Sequence, residues 1–511
     1  MKKFFHLVFH RVVIFVFLML VQLVFLLGMM IFFNDYYAYF YAICTLASLA
    51  VVLWIVNNKS NPGYKIAWII LILLLPIFGA LFYLLFGVNY LSRRKRKKME
   101  VVTRQVLRTF PEDTPVLEKL SSESRTAAKQ TCYIEKSAWC PLWQNTKAEY
   151  LPSGEDKFAR MLEELKRAEH YIFLEYFIIE EGIMWNSILQ VLEEKVKQGV
   201  EVRLIYDDMG CMFTLPYQYD KKLREKGIDA CVFNPFTPVL SSSFNNRDHR
   251  KICVIDGYIG FNGGINLADE YINAYEKHGH WKDTAVVLEG DAVWNLTVMF
   301  LSIWDYIHGT AEDYEKYRPA VYQKTPVHCD GYIQPYMDNP LDNEPVGENV
   351  YFNLINNAKD YVYITTPYLI IDNEMVTALS TAAKSGIDVR IITPHVPDKW
   401  YVHAVTRAYY EVLVESGVKI YEYIPGFIHA KTFVVDDVYG VVGTINLDYR
   451  SLYLHFECGT WMYRMDCVKQ MKEDFLKTLE VSRQITLEDC RKVKWYRKLG
   501  RSILRVFAPL M

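Results

Sequence analysis

Along the first hundred residues the apolar positions are nearly continuous. From Tyr150 onward they become periodic. Three apolar runs, Val12–Phe33, Tyr36–Val56 and Ala67–Phe86, each approach the ~20 residues that cross a bilayer as a helix. The second and third are separated by NNKSNPGYK, whose Asn-Pro-Gly breaks any helix. Pro76 and Gly79 inside the third run predict a kink or a re-entrant segment. The first run starts on Lys2 and Lys3 like a signal peptide, but it is too long and leads into further apolar segments, so it reads as a retained anchor. Charge restricts the topology. With three spans, Lys2, Lys3, Arg11, Lys59 and Lys65 fall on one side and RRKRKK (Arg93–Lys98) on the other. Cytoplasmic loops carry the positive excess, so both groups cannot be cytoplasmic. Two spans plus a shallow segment remove the conflict and place the large domain in the cytoplasm, as a multi-pass protein of the cell membrane. The basic run would then lie against anionic headgroups or serve as a plain topology signal.

After Tyr150, helical and strand patterns alternate. GEDKFARMLEELKRAEH has helical spacing and YIFLEYFII reads as a buried strand; SILQVLEEKVKQG and VEVRLIYDD repeat the pair. The second half does the same about 190 residues later, with ENVYFNLINNAKD, YVYITTPYLII, VTALSTAAKSG and IDVRIITP. Such alternation predicts an α/β fold with helices packed on a sheet, built twice. The tail WYRKLGRSILRVFAPLM (Trp495–Met511) mixes aliphatic with basic residues. It predicts an interfacial amphipathic helix or one packed on the domain's own surface.

Composition adds little beyond this. A hydrophobic content of 51% reflects the N-terminal runs, and a formal net charge of −2 gives no reason to expect a nucleic-acid partner. Ten cysteines are scattered without a CxxC pair or zinc-like spacing, which reads as packed thiols facing a reducing compartment.

Chemistry concentrates in two stretches. FNNRDHRKICVIDGYIGFNGGIN (Phe244–Asn266) is matched by FIHAKTFVVDDVYGVVGTIN (Phe427–Asn446). His249 corresponds to His429, Lys251 to Lys431, Asp256 to Asp436, Gly260 to Gly440, Gly263 to Gly443 and Asn266 to Asn446, each pair 180 positions apart. One offset for six identities indicates a duplicated domain whose halves face each other about a pseudo-twofold axis. Positions i and i+2 of a strand share a face, so each histidine can join its lysine in one site. Each aspartate, seven residues after its histidine, has the opposite parity and is expected to support the site rather than contact substrate. Two histidines and two lysines suit phosphoryl transfer. One imidazole attacks phosphorus while the other protonates the leaving oxygen and then deprotonates the incoming alcohol. The lysines, Asn266 and Asn446 would stabilise the anionic oxygens. Asp283 in HWKDTAVV and Glu457 in HFECGTWM are candidates to fix the imidazole tautomers. No metal or cofactor is called for.

H-x-K-x4-D followed by G-x-x-G-x-x-N, present twice, resembles the HKD phospholipase D superfamily over roughly Tyr150 to Ser482. FNNRDHRK, GTINLDYRS, IFLEYFI, YDDMG and the apolar N-terminus look like the bacterial cardiolipin synthases. The first copy departs from that family in reading GGIN where a Gly-Ser pair is usual. The resemblance implies N-terminal transmembrane helices followed by two pseudosymmetric phospholipase D-like α/β sandwich domains. Its catalytic signature is His249, Lys251, Asp256, His429, Lys431 and Asp436. The activity it implies is transfer of a phosphatidyl group between two phosphatidylglycerol molecules at an anionic bilayer, giving cardiolipin and glycerol. His249 is the expected nucleophile, though the symmetry leaves His429 open. Arg247, Arg250 and Arg450 could grip headgroup phosphates or form structural ion pairs, and the serine-rich Leu240–Phe244 could line the pocket mouth. The expected division is 1–98 membrane helices and basic run, 99–149 linker, 150–325 and 326–482 the two domains, and 483–511 the basic tail. A hydrolytic phospholipase D remains the alternative. A nuclease fits the charge poorly, and a non-enzymatic scaffold would not keep both motifs.

Overall fold

The computed structural model describes residues 37–75, 79–87, 93–110, 115–236, 245–342 and 344–510, with a few helical positions between 20 and 32. Most of Val12–Phe33 and all of Leu240–Phe244 lie outside the described residues. The chain forms two compact units, one drawn from residues 1–92, 234–246 and 510, the other from 93–233 and 247–509.

In the first unit, helix Tyr37–Asn57 is followed by helix Pro62–Leu74, whose start is set by Asn61, its side chain accepting from the Gly63 N–H, and by Pro62 in the first turn. A single turn, Gly79–Phe82, and a π-turn, Tyr83–Gly87, complete it. Ile55, Trp68, Ile72, Ala80 and Tyr83 form its small core, with Tyr83 edge-on to Trp54 and Trp68. The bilayer-crossing helices expected from hydropathy are not found: among the described residues, no helix is long and apolar enough to cross a membrane. The second run carries Tyr37, Tyr39 and Tyr41 in its first turns. Its tyrosine-free stretch, Ile43–Val56, rises only about 21 Å against a hydrocarbon core of about 30 Å. The third run is broken after Leu74. Where it restarts it doubles back, and a Cβ on Gly79 would lie 2.4 Å from the Ile72 Cα.

The second unit contains two mixed sheets. The first half supplies β1 (Thr146–Leu151), β2 (Tyr171–Tyr176), β3 (Glu201–Asp207), β4 (Asp229–Phe233), β5 (Lys251–Ile255), β6 (Ile259–Gly263), β7 (His280–Lys282) and β8 (Ala285–Gly290). The second half supplies β9 (Tyr332–Asp338), β10 (Tyr361–Thr365), β11 (Leu369–Ile370), β12 (Asp388–Pro394), β13 (Lys419–Tyr423), β14 (Gly426–Ile428), β15 (Thr432–Val435), β16 (Tyr439–Gly443), β17 (Leu447–Asp448), β18 (Glu457–Tyr463) and β19 (Ser482–Ile485). The first sheet runs β1-β8-β6-β5-β2-β3-β4 and the second β9-β18-β16-β15-β10-β12-β13-β19. Strand for strand the order is the same, with β19 added at one edge. In each sheet the helix-connected strands pair in parallel, β2 with β3 and β10 with β12. The motif strands β5 and β15 join them antiparallel.

Alternation puts the first sheet between two apolar layers. Phe173, Ile205, Val254, Val286 and Leu288 face a core shared with the second half, through helix Val293–His308. Ile172, Leu174, Val202, Cys253 and Ile255 face helices Gly154–Arg167 and Ile183–Lys197. Residues 99–149, expected as a linker, are instead largely helical. Val102, Val106, Leu120, Ile134 and Ala138 are buried in the shared core, and Gln334 of β9 donates to the carbonyls of Thr131 and Cys140. The period of this stretch is helical, but its tie to strands two hundred residues away leaves no local mark.

Candidate active site

Each motif histidine sits just ahead of its strand on a segment hydrogen-bonded to the other half. The His249 N–H donates to the Phe456 carbonyl at 2.9 Å, and the Phe456 N–H donates to the Arg247 carbonyl at 2.8 Å. The His429 N–H donates to the Lys282 carbonyl at 2.7 Å, extending the parallel pairing of β14 with β7. Lys251 and Lys431 are buried, and each ammonium donates to the carbonyl of its own motif histidine. Phe177 lies edge-on to His249 with ring centroids 5.0 Å apart. Tyr271, Trp281 and Phe427 surround His429.

Orienting carboxylates are exchanged between the halves. His249 Nδ1 lies 3.0 Å from both oxygens of Glu457, and His429 Nδ1 lies 2.7 Å from Asp283 Oδ2. Both carboxylates are fully buried. With Nδ1 engaged, Nε2 is the nitrogen left to each imidazole for chemistry. Their supports differ. Glu457 also accepts from the Thr444 hydroxyl, with His455 Nδ1 at 3.8 Å. Asp283 accepts the Thr284 N–H at 2.7 Å and presses on Gly264, where an added Cβ would lie 2.3 Å from Oδ1. That contact accounts for the GGIN departure: position 264, the counterpart of Thr444, has no room for a hydroxyl side chain as the carboxylate stands.

Burial dominates the titration of this cluster. It pushes His249 well below the usual imidazole value, with Lys251, Lys431 and His429 adding repulsion. It lowers His429 to about 4, with Lys431 acting in the same direction and Asp283 opposing. Lys251 falls to about 8 and Lys431 to about 7, again mainly by burial, against the pull of the carboxylates. These mutual influences place the four groups in one electrostatic site. An entering phosphodiester would relieve the crowding of positive charge, so the empty site is poised for an anion. His249, His455 and Glu457 also bring ligand atoms within 4.8 Å of one another, but His249 Nδ1 and the carboxylate are already hydrogen-bonded together.

Asp256 and Asp436 have a different task. Both adopt left-handed backbone, φ 48° and 55°, in the turns after β5 and β15. The Asp256 carboxylate accepts the N–H groups of Glu169, His170 and Tyr171 at 2.7, 2.7 and 2.9 Å, and Asp436 does the same for Lys359, Asp360 and Tyr361. Each ties the motif hairpin to the start of the neighbouring strand. Asp256→Ala is therefore expected to cost about 3 kcal/mol of stability in denaturant unfolding, by orphaning three donors. Turnover per folded molecule should stay within a few-fold; unchanged stability with abolished turnover would count against this role.

The asparagines diverge. Asn266 accepts the Ile178 N–H and donates to the Tyr271 hydroxyl, so it braces the wall beside His429. Asn446 has a buried amide oxygen without a protein partner, and its side chain acts on Asp448. Arg250 is buried in ion pairs with Glu175 at 2.5 Å and Asp248 at 3.1 Å, and Arg247 pairs with Asp207 at 3.3 Å. Of the two roles open to these arginines, the ion-pair role is the one seen. Asp207 also accepts the Asp248 N–H at 3.1 Å, anchoring the approach to His249. Glu175, Asp207, Thr444 and His455 were not singled out from sequence. Glu175 and Asp207 could have been, as acids at the ends of otherwise apolar strands.

Comparison with known proteins adds three findings. Residues 161–304 and 351–479 match the family described as "Cardiolipin synthase, PLD-like domain", and residues 46–87 match "Phospholipase_D-nuclease N-terminal". The chain is 36% identical over 475 residues to a cardiolipin synthase of Geobacillus kaustophilus, covering 92% of each chain. It is 48% identical over 461 residues to an uncharacterised protein of Streptococcus mutans, covering 90% of this chain and 99% of that one. In fold it resembles the phosphatidylserine synthase of Haemophilus influenzae, with TM-score 0.55 and 16% identity over 75% of this chain and 98% of that one.

Proposed function

The chain belongs to the cardiolipin synthases of the phospholipase D-like family, and from that membership we propose a reaction between two phosphatidylglycerol molecules in which His249 is the nucleophile and His429 the acid and base. The observation that carries the proposal is the pair of imidazoles, each held at Nδ1 by a carboxylate of the opposite half. His249 Nε2 attacks the phosphorus of the first phosphatidylglycerol. The bond from phosphorus to the headgroup glycerol oxygen breaks, and that oxygen takes a proton from His429, releasing glycerol. The terminal hydroxyl of the second phosphatidylglycerol then gives its proton to His429 and attacks the phosphohistidine. The phosphorus–nitrogen bond breaks, His249 is regenerated and cardiolipin leaves.

The division of labour follows the family resemblance, and burial holds both imidazoles toward their neutral forms. A nucleophile must be neutral, and His249 is held so by burial, with the ammonium groups of Lys251 and Lys431 opposing its charged form. An acid must be able to take a proton, and Asp283 pulls His429 in that direction. Lys251 and Lys431 stabilise the charge on the non-bridging oxygens at the five-coordinate stage. As a member of this family the protein is a membrane-associated phosphatidyltransferase; we assign it to an anionic cell membrane in multi-pass form, with the catalytic unit cytoplasmic. Radiolabelled phosphatidylglycerol given to the purified full-length protein should yield cardiolipin and free glycerol in equal amounts. Phosphatidic acid as the sole lipid product would establish hydrolysis instead.

A further inference from the structure

We propose that helix Trp495–Phe507 is a lipid-docking platform that seats the catalytic unit on an anionic bilayer. The inference rests on the lipid-substrate reading above and adds the surface by which the enzyme meets its substrate. Three of the helix's four basic residues reach the neighbouring helix: Lys498 pairs with Glu411 at 3.2 Å, Arg505 lies 4.3 Å over the ring of Tyr409, and Arg501 is half-buried close to Arg407. All three receiving residues lie on helix Trp400–Glu415. Leu504 packs against the core, but four other apolar residues turn outward. Trp495 is 76% exposed, Leu499 53%, Ile503 53% and Val506 38%. Spacings of four, four and three residues put these side chains on one stripe. The contact through Leu504 still leaves a tryptophan and three aliphatics in water on one face, an apolar patch that asks for a partner.

The chemistry of the stripe selects its occupant. Trp495 and the neighbouring Tyr496 are the residue types that settle at the headgroup boundary, one apolar and one polar end each. Leu499, Ile503 and Val506 supply the buried ridge of an interfacial helix. The helix has four basic and no acidic residues, and exposed Lys492, Lys494 and Arg497 gather at its N-terminal end. That charge complements an anionic headgroup layer. Lipid therefore fits the surface better than a protein partner, whose interface would call for charges of both signs.

The test uses full-length protein reconstituted in vesicles of phosphatidylcholine and phosphatidylglycerol, 7:3, with bromine on the acyl chains. The fluorescence difference between wild type and Trp495→Phe isolates Trp495, and this difference should be strongly quenched by the brominated lipid. Leu499→Ser with Ile503→Ser changes only exposed positions, so the fold, checked by circular dichroism, should persist while the quenching of Trp495 is lost. The same double variant should need about tenfold more phosphatidylglycerol in the vesicle surface for half-maximal turnover, with turnover of a water-soluble short-chain substrate unchanged. An unquenched Trp495 overturns the proposal, whether crosslinking then finds a second copy or the N-terminal residues on the stripe. Quenching requires no turnover, so a quenched Trp495 in a protein that makes no cardiolipin would count against the proposed reaction and leave the platform standing.

Discussion

His249→Ala and His429→Ala are each expected to lose at least about ten-thousandfold in cardiolipin formation, because each removes a group that moves a proton or a phosphorus bond at every turnover. The two losses should differ in kind. His249→Ala should form no phosphoenzyme, even with an activated phosphatidyl ester whose leaving group needs no proton. His429→Ala should still accept the phosphatidyl group from that ester and then stall, since no base remains for the acceptor alcohol. A detergent quench at mildly alkaline pH, where the phosphorus–nitrogen bond survives, followed by mass spectrometry locates the modified histidine. Phosphate on His429 in the His249→Ala protein would reverse the assignment. Both substitutions remove a buried imidazole whose charged form the fold disfavours, so neither should unfold the protein. Denaturant unfolding serves as the control.

What could be read in the sequence follows from what the duplication preserved. The common offset of 180 exposed His249, Lys251, Asp256 and Asn266 together with their counterparts, and strand parity separated the aspartates from the lysines before any geometry was known. The carboxylates escape that logic. The offset from Asp283 lands on Tyr463, and from Glu457 on Lys277. The two carboxylates nonetheless hold equivalent places, each two residues before the strand partner of Gly263 or Gly443, and a connection six residues shorter in the second half shifts the offset to 174. Arg250 presented the reverse difficulty. Beside a motif histidine it reads equally as a phosphate clamp, and only the meeting with Glu175 from β2 and Asp248 shows how its charge is used. Hydropathy marks how apolar the third run is, not where it turns, as it does where Gly79 meets Ile72.

The exchanged carboxylates give the second large effect. Asp283→Asn should lower kcat about a thousandfold to ten-thousandfold with little change in KM, because an amide can leave His429 in the wrong tautomer without touching substrate. Glu457→Gln should do the same through His249, in spite of lying in the opposite half of the sequence. The pH dependence separates the two. Asp283 opposes the burial and the Lys431 charge that hold His429 near 4. Removing its charge therefore lowers that pKa further, and proton delivery to the leaving glycerol fails sooner as pH rises. The basic limb of kcat should move to lower pH in Asp283→Asn. An activated leaving group, which needs no proton, should restore phosphoenzyme formation. Glu457→Gln should gain nothing from that ester, since its defect lies in the attacking nitrogen. If Glu457→Gln were rescued and Asp283→Asn were not, His429 would be the nucleophile, and the first prediction would reverse with it. Two independent chemistries, trapping and leaving-group rescue, thus bear on one assignment that the near-symmetry of the site conceals.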